Sequence, residues 1–273
     1  MGRLDGKVAL ITGGARGQGR SHAVALAREG ADIAVCDIDD GIASVPYELA
    51  TAADLAETVR LVEALDRRCL GVRADVRDLA QMQAAAERTI SELGHIDIVL
   101  ANAGIASNSP IATMTDQQWQ DIIDVDLTGV FYTFRAVVPH LIERGFGRIV
   151  ATSSIIARMG GTNSGHYVAA KWGVIGLVKS LSLEVADHGI TVNAVLPAGV
   201  NTALLHNKAT YKALRPDLDD PTREDIEPMF AQGPGLLEPE DVSNAILFLV
   251  TDRRGHLNGE VLTMSGGISA NTV

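Results

Sequence analysis

The chain has 273 residues, of which 47% are hydrophobic and 21% charged, so a disordered or fibrous protein is excluded and one large domain or two small ones are expected. Lys and Arg number 23 against 34 Asp and Glu, a net charge of −11 that argues against nucleic acid and anionic membrane as partners. Aromatics are only 4%, a balance suited to parallel strands buried on both faces. No apolar run reaches the roughly 18 residues of a membrane span, and the opening MGRLDGKVALITGG reads as a strand rather than a signal peptide. Two cysteines, Cys36 and Cys69, fit a reducing compartment, and a cytoplasmic location is expected. Neither sits at metal-ligand spacing, and no metal site is expected.

In chain order, strand-like runs alternate with helical patterns. Strands are predicted at Lys7–Thr12, Ala31–Ile38, Cys69–Ala74, Asp97–Ala103, Arg148–Ser154, Thr191–Pro197 and Glu260–Met264. Helices are predicted over Gly17–Glu29, Ala53–Arg67, Leu79–Leu93, Asp116–Arg144, His166–Asp187 and Pro239–Val250. Such alternation gives βαβ units and a doubly wound, seven-stranded parallel sheet with helices on both faces. No linker or repeat divides the chain, so residues 1–273 read as one α/β domain of Rossmann type. Two segments break the rhythm: an insertion over Asp39–Ala52, and a polar, Pro-containing stretch over Ala203–Glu238. The second is expected to be a substrate lid, since ligands bind at the strand C-terminal edge of such sheets. Its apolar residues Leu204, Leu205, Met229, Phe230, Leu236 and Leu237 suit a hydrophobic ligand or an oligomer interface.

The first strand runs into Thr12-Gly13-Gly14-Ala15-Arg16-Gly17-Gln18-Gly19, which opens the first helix. Glycines let a backbone approach a phosphate closely, and the helix start offers free N–H groups. Gly13, Arg16, Gly17, Gln18 and Gly19 are therefore candidates for binding a dinucleotide. Asp37 closes the second strand, where a carboxylate reaches the adenosine ribose and repels a 2′-phosphate, so NAD is favoured over NADP. Arg16 pulls the other way but can serve the pyrophosphate. Ile38, Asp75-Val76 and Asn102-Ala103-Gly104 lie on the same strand-end edge. Cys36 and Cys69 fall at opposite ends of neighbouring strands, too far apart for a disulfide.

Tyr167 and Lys171 are spaced i, i+4 on one helix and share a face. A nearby ammonium favours the phenolate, which makes Tyr167 a candidate general acid/base. Ser154 ends the fifth strand, where a hydroxyl can bond a carbonyl oxygen as charge develops. His166 is expected on another face of that helix and not catalytic. With His140 and His188 it reads as solvent-exposed or at the core edge, and Trp119 and Trp172 read as packing residues.

TGGARGQG, Asp37, Asp75-Val76, ANAG, Ser154 and YVAAK, in this order, resemble the short-chain dehydrogenase/reductase family over essentially the whole chain. The resemblance implies an NAD(P) oxidoreductase, commonly a homotetramer, in which Tyr167 shuttles the substrate proton and Ser154 orients the substrate. Lys171 would hold the nicotinamide ribose and lower the Tyr167 pKa. Pro197, Val200 and Thr202 lie in PAGVNT, which looks like the segment that contacts the nicotinamide. GGARGQGRSHAVALAREGADI, IASVPYELATAADLAETVRLVEA and PAGVNT further resemble the carveol-dehydrogenase-like branch. That branch is associated with mycofactocin redox systems, tightly held NAD and hence an external redox partner; the insertion over Asp39–Ala52 is its marker. The expected reaction interconverts a small, mostly apolar secondary alcohol and its ketone. A non-enzymatic NAD sensor and an epimerase or dehydratase on the same fold are the alternatives.

Two positions depart from the family pattern. Asp126 stands where the family has an asparagine that holds a relay water behind the lysine. It is expected to pair with Lys171, directly or through water, and to weaken the lysine's effect on Tyr167, and is counted with the catalytic set; the alternative is that carboxylate and amide substitute structurally here. Ser265 replaces a frequent acidic residue and reads as structural.

Overall fold

The computed structural model describes residues 2–230, 235–252 and 254–271. The strands are β1 (Val8–Thr12), β2 (Asp32–Asp37), β3 (Cys69–Arg73), β4 (Ile98–Ala101), β5 (Gly147–Thr152), β6 (Ile190–Pro197) and β7 (Val261–Met264). They form one sheet, ordered β3-β2-β1-β4-β5-β6-β7, in which every neighbouring pair is parallel. The connecting helices are α1 (Gly17–Arg28), α2 (Ala52–Glu63), α3 (Leu79–Leu93), α4 (Asp116–Ile123), α5 (Gly129–Arg144), α6 (Gly165–Glu184), α7 (Lys208–Leu214), α8 (Arg223–Ile226) and α9 (Pro239–Val250).

Alternation along each strand feeds two cores. Val8 and Leu10 of β1 join Met82 of α3, Val137 of α5 and Val174 of α6. Ala9 and Ile11 join Leu26 of α1, Val62 of α2 and Ile246 of α9 on the other face. All five residues of β1 and all eight of β6 are buried, as a sheet covered on both faces requires.

Local chemistry sets the helix ends. Thr51 and Asp54 form a capping box on α2, as do Thr115 and Gln118 on α4, and Asp78 accepts from Ala80 and Gln81 at the start of α3. α5 stops at Gly145, whose φ of +65° is left-handed. The predicted helix Asp116–Arg144 is interrupted by a π turn over Asp124–Thr128. The apolar periodicity continues through the turn, so the interruption leaves no mark on the pattern. Cys69 lies opposite Ile33, three residues before Cys36, and both cysteines are free. Burial pushes both thiols up to about 12.

The rim at the strand N-termini is tied by Asp97, which is fully buried. Its carboxylate meets His95 at 2.8 Å, Arg144 at 3.2 Å and Lys7 at 3.3 Å, and accepts the Val8 N–H at 3.1 Å. Among the described residues no helix is long and apolar enough to cross a membrane, and no group of three His, Cys, Asp or Glu could hold a metal.

Candidate active site

At the opposite rim a cavity of about 980 Å³ opens above the strand C-termini, beside the switch between β1 and β4. Gly13, Arg16, Gly17, Gln18, Gly19, Asp37, Ile38, Asp75, Val76, Asn102, Ala103, Gly104, Pro197, Val200 and Thr202 all line it, with Ser154, Tyr167, Lys171 and Asp126. The sequence candidates thus converge on one space.

Glycine is obligatory in the β1–α1 turn. Gly13 has φ +68°, and a Cβ there would sit 2.7 Å from the Ala103 Cα; one on Gly19 would sit 2.0 Å from the Gly13 carbonyl oxygen. α1 begins without a side-chain cap at Arg16 and without an acidic residue in its first turn, unlike α2 and α4. Its positive end is left for an anion, and the buried Gln18 Oε1 has no protein partner. Asn102 Nδ2 donates to the carbonyls of Thr12 (3.1 Å) and Gly13 (3.3 Å), which fixes the turn. Asp37 accepts from the N–H groups of Ala15 and Ile38, each at 2.9 Å, and each oxygen keeps a lone pair for a ribose hydroxyl. Burial raises the Asp37 pKa against these two bonds and the Arg16 charge. The donors and glycines fit a dinucleotide. Arg16 itself is occupied: its guanidinium donates to the Glu48 carbonyl, at 2.5 Å.

Asp126 lies within the π turn and is fully buried. One oxygen pairs directly with Lys171 Nζ at 3.0 Å; the other accepts the Ile105 N–H at 2.9 Å. Lys171 also donates to the Thr152 carbonyl at 3.1 Å, and its Nζ lies 5.5 Å from the Tyr167 ring centre. π turns recur where a side chain must be re-aimed, as here into the space between β4 and α6. The Cβ that Gly104 lacks would approach both members of the ion pair to 3.3 Å. Burial raises the Tyr167 pKa; Lys171 and a hydrogen bond from Ser154 oppose it, and Asp126 adds to it. Burial works against the Lys171 ammonium, but Asp126 and Tyr167 hold its pKa above the ordinary lysine value. Burial likewise raises Asp126, with Lys171 opposing.

The insertion folds over the cavity. Ile42, Tyr47, Leu49 and Ala50 line it. Ser44 donates to Asp121 Oδ2 at 2.6 Å, and Tyr47 accepts the Ala106 N–H at 3.0 Å. With the Arg16–Glu48 bond, these contacts fasten the segment to α4, to the loop after β4 and to the glycine turn. In the segment over Ala203–Glu238, residues 231–234 lie outside the described residues. Leu204, Leu205 and Phe230 line the cavity, whereas Met229 is exposed, Leu236 packs near Gly199, and Leu237, half-buried, packs against the core and bridges to Val200.

Other expectations need correction. His166 is neither exposed nor at the core edge: it is fully buried, with Nδ1 accepting the Tyr167 N–H at 2.9 Å and Nε2 2.9 Å from Ser107 Oγ. Helical patterning cannot reveal a polar partner that comes from a distant loop. His140 does lie at the core edge, accepting the Ile96 N–H, and His188 is exposed. Trp119 and Trp172, read as packing residues rather than cofactor stackers, do not line the cavity and are 44% and 46% exposed. Ser265 bonds Ser269. Sequence reasoning passed over Tyr47 and Ser107; the only signal was a tyrosine within a turn-like insertion.

Residues 7–213 match the short chain dehydrogenase family. The chain is 45% identical to (-)-trans-carveol dehydrogenase of Rhodococcus erythropolis, covering 98% of this chain and 99% of that one. Among solved structures it resembles carveol dehydrogenase from Mycobacterium avium in complex with NAD, with a TM-score of 0.93, 45% identity, and 97% and 98% of the two chains covered. It also resembles a short chain dehydrogenase from Mycobacterium paratuberculosis bound to NAD, with a TM-score of 0.90, 34% identity, and 98% and 100% covered.

Proposed function

Since the chain belongs to the short-chain dehydrogenase family, we propose that it is an NAD-dependent alcohol dehydrogenase of the carveol-dehydrogenase-like type, interconverting a small, mostly apolar secondary alcohol and its ketone. The observation that carries this reading is the convergence of Ser154, Tyr167 and Lys171 with the glycine turn and Asp37 on one cavity. Gly13, Gly17, Gln18 and Gly19 would hold the pyrophosphate of NAD, with Asp37 and Ile38 at the adenosine ribose and Asp75 and Val76 at the adenine. Asn102, Ala103, Gly104 and Lys171 would hold the second ribose, with Pro197, Val200 and Thr202 at the nicotinamide. Bound there, the nicotinamide supplies the hydride acceptor.

The chain's own residues handle the oxygen and its proton. Ser154 and Tyr167 grip the substrate oxygen. In oxidation Tyr167 takes the hydroxyl proton at Oη as the carbonyl forms; in reduction it returns that proton. Lys171 favours the phenolate, and Asp126 holds the ammonium in place. Leu204, Leu205 and Phe230 give the lid an apolar lining suited to an apolar substrate. The whole chain acts as one domain. The fastened insertion supports tightly held NAD, and an NAD held through turnover would pass its electrons to an external redox partner. The exposed Trp119, Phe131 and Trp172 support assembly into a homotetramer.

The test is Tyr167→Phe, which keeps the ring and removes the proton carrier. Reduced-nicotinamide absorbance on mixing with secondary alcohols should fall in rate by at least about 10²-fold, with NAD binding intact. Near-normal turnover would defeat the mechanism.

A further inference from the structure

The loop after β4 carries a polar pair that the proton chemistry above does not use. Ser107 lines the cavity wall, only 4% exposed, and its Oγ lies 2.9 Å from Nε2 of the fully buried His166. His166 adjoins Tyr167 in α6, and Ile105 of the same loop bonds Asp126, the partner of Lys171, which sets this stretch of wall beside the Tyr167–Lys171 pair. The loop is pinned on three sides. Ile105 donates to Asp126, Ala106 donates to Tyr47, and the Ser109 N–H donates to the Asn163 carbonyl at 2.7 Å.

The His166 tautomer follows from its other nitrogen. The N–H of Tyr167, in the first turn of α6, has no carbonyl four residues back to serve and is accepted by Nδ1 at 2.9 Å. Nδ1 therefore carries no proton in the neutral ring; burial lowers the His166 pKa, with the Ser164 carbonyl and Asp126 opposing it. Nε2 then bears the proton and donates it to Ser107. A hydroxyl whose lone pair is engaged this way turns its own hydrogen elsewhere. Among the described residues no acceptor meets that hydrogen, and the open direction is the cavity.

We propose that Ser107, oriented by His166, donates a hydrogen bond to a second oxygen of the substrate, separate from the oxygen gripped by Ser154 and Tyr167. This rests on the dehydrogenase reading and narrows its substrate class to secondary alcohols or ketones with an acceptor oxygen near the reacting carbon, on an otherwise apolar skeleton. Ser107 is a specificity-determining residue, and His166 a positioning residue that acts through it.

The experiment compares cyclohexanol with 1,2-cyclohexanediol on the cofactor-loaded protein, reading KM and kcat separately. Wild type should show the lower KM for the diol. Ser107→Ala should raise the diol KM about 10-fold at unchanged kcat, the scale of leaving one polar group unpaired. It should leave cyclohexanol kinetics and NAD binding alone. Ser107→Cys, a nearly isosteric variant with a weak donor, should behave in the same way and stands in if the alanine variant does not fold. His166→Phe should erode the preference for the diol while Ser107 is still present. Equal KM values in wild type, or a Ser107→Ala effect that is the same for both alcohols, overturns the proposal while leaving the dehydrogenase reading standing. Failure to reduce bound NAD with either alcohol, or with any simple secondary alcohol, overturns both.

Discussion

Replacing Asp126 by Asn should move the alkaline-rising limb of alcohol oxidation to lower pH. On the proposed mechanism oxidation needs Tyr167 as phenolate, so the rate should rise with pH through the Tyr167 pKa, which burial and Asp126 both raise. The 3.0 Å contact places Asp126 against Lys171, whose Nζ is 5.5 Å from the Tyr167 ring centre. Two like charges roughly 8 Å apart at an effective dielectric of about 20 repel by about 2 kcal/mol, equivalent to about 1.5 pH units, which sets the scale of the Asp126 effect. The ammonium acts on Tyr167 more strongly than Asp126 does, and in the variant the Thr152 carbonyl and Tyr167 remain to hold its charge against burial. The limb should therefore shift down by about one unit. The amide keeps the shape and still accepts the Ile105 N–H, so activity should survive. Removing one member of a buried ion pair should nevertheless lower stability by about 3 kcal/mol, read as a lower melting temperature. The assay is a pH profile of kcat/KM for both proteins with a deuterated alcohol, whose isotope effect certifies that hydride transfer limits the rate. An unmoved limb would falsify the electrostatic account. A limb moved to higher pH would mean that loss of Lys171 charge in the variant outweighs relief of the repulsion.

The cofactor preference should reside in Asp37: wild type favours NAD over NADP, and Asp37→Ser should shrink the ratio of the two dissociation constants by 10-fold or more. Tighter binding of NADP by wild type would show that Arg16 governs instead. The fastened insertion should make the purified protein carry NAD, detectable by mass spectrometry of the denatured sample. Paired Tyr47→Phe and Ser44→Ala substitutions, which remove two of its anchors, should speed NAD release about 10-fold; a protein that purifies empty would contradict this.

Most of the fold was legible because a parallel sheet buried on both faces writes itself as apolar runs separated by helical periods. All seven strands lie where those runs are, with ends displaced by a residue or two. The glycine turn and the Tyr167–Lys171 pair were legible for another reason: each depends on spacing within one local segment. What escaped the sequence depends on contact between distant segments. The π turn at Asp124–Thr128 arises inside an unbroken helical pattern. The burial of His166 depends on Ser107, 59 residues earlier. Tyr47 acquires its place from an amide of the loop after β4. Asp126 stood out only because a resemblance supplied an asparagine to compare it with.

The buried carboxylate Asp97 and the cavity residue Asn102 flank β4, one at each end. A strand rises about 3.3 Å per residue, so the two rims stand roughly 17 Å apart. Perturbations separated by more than about 10 Å combine additively in most proteins. The scaffold therefore divides its labour. Ionic fastening sits on the rim below, and selection of ligand and reaction sits on the loops above. Those upper loops can drift in sequence, and exchange one substrate for another, without loosening the Asp97 knot. Conversely, strengthening that knot should harden the protein against heat and leave the acidity of Tyr167 where it was.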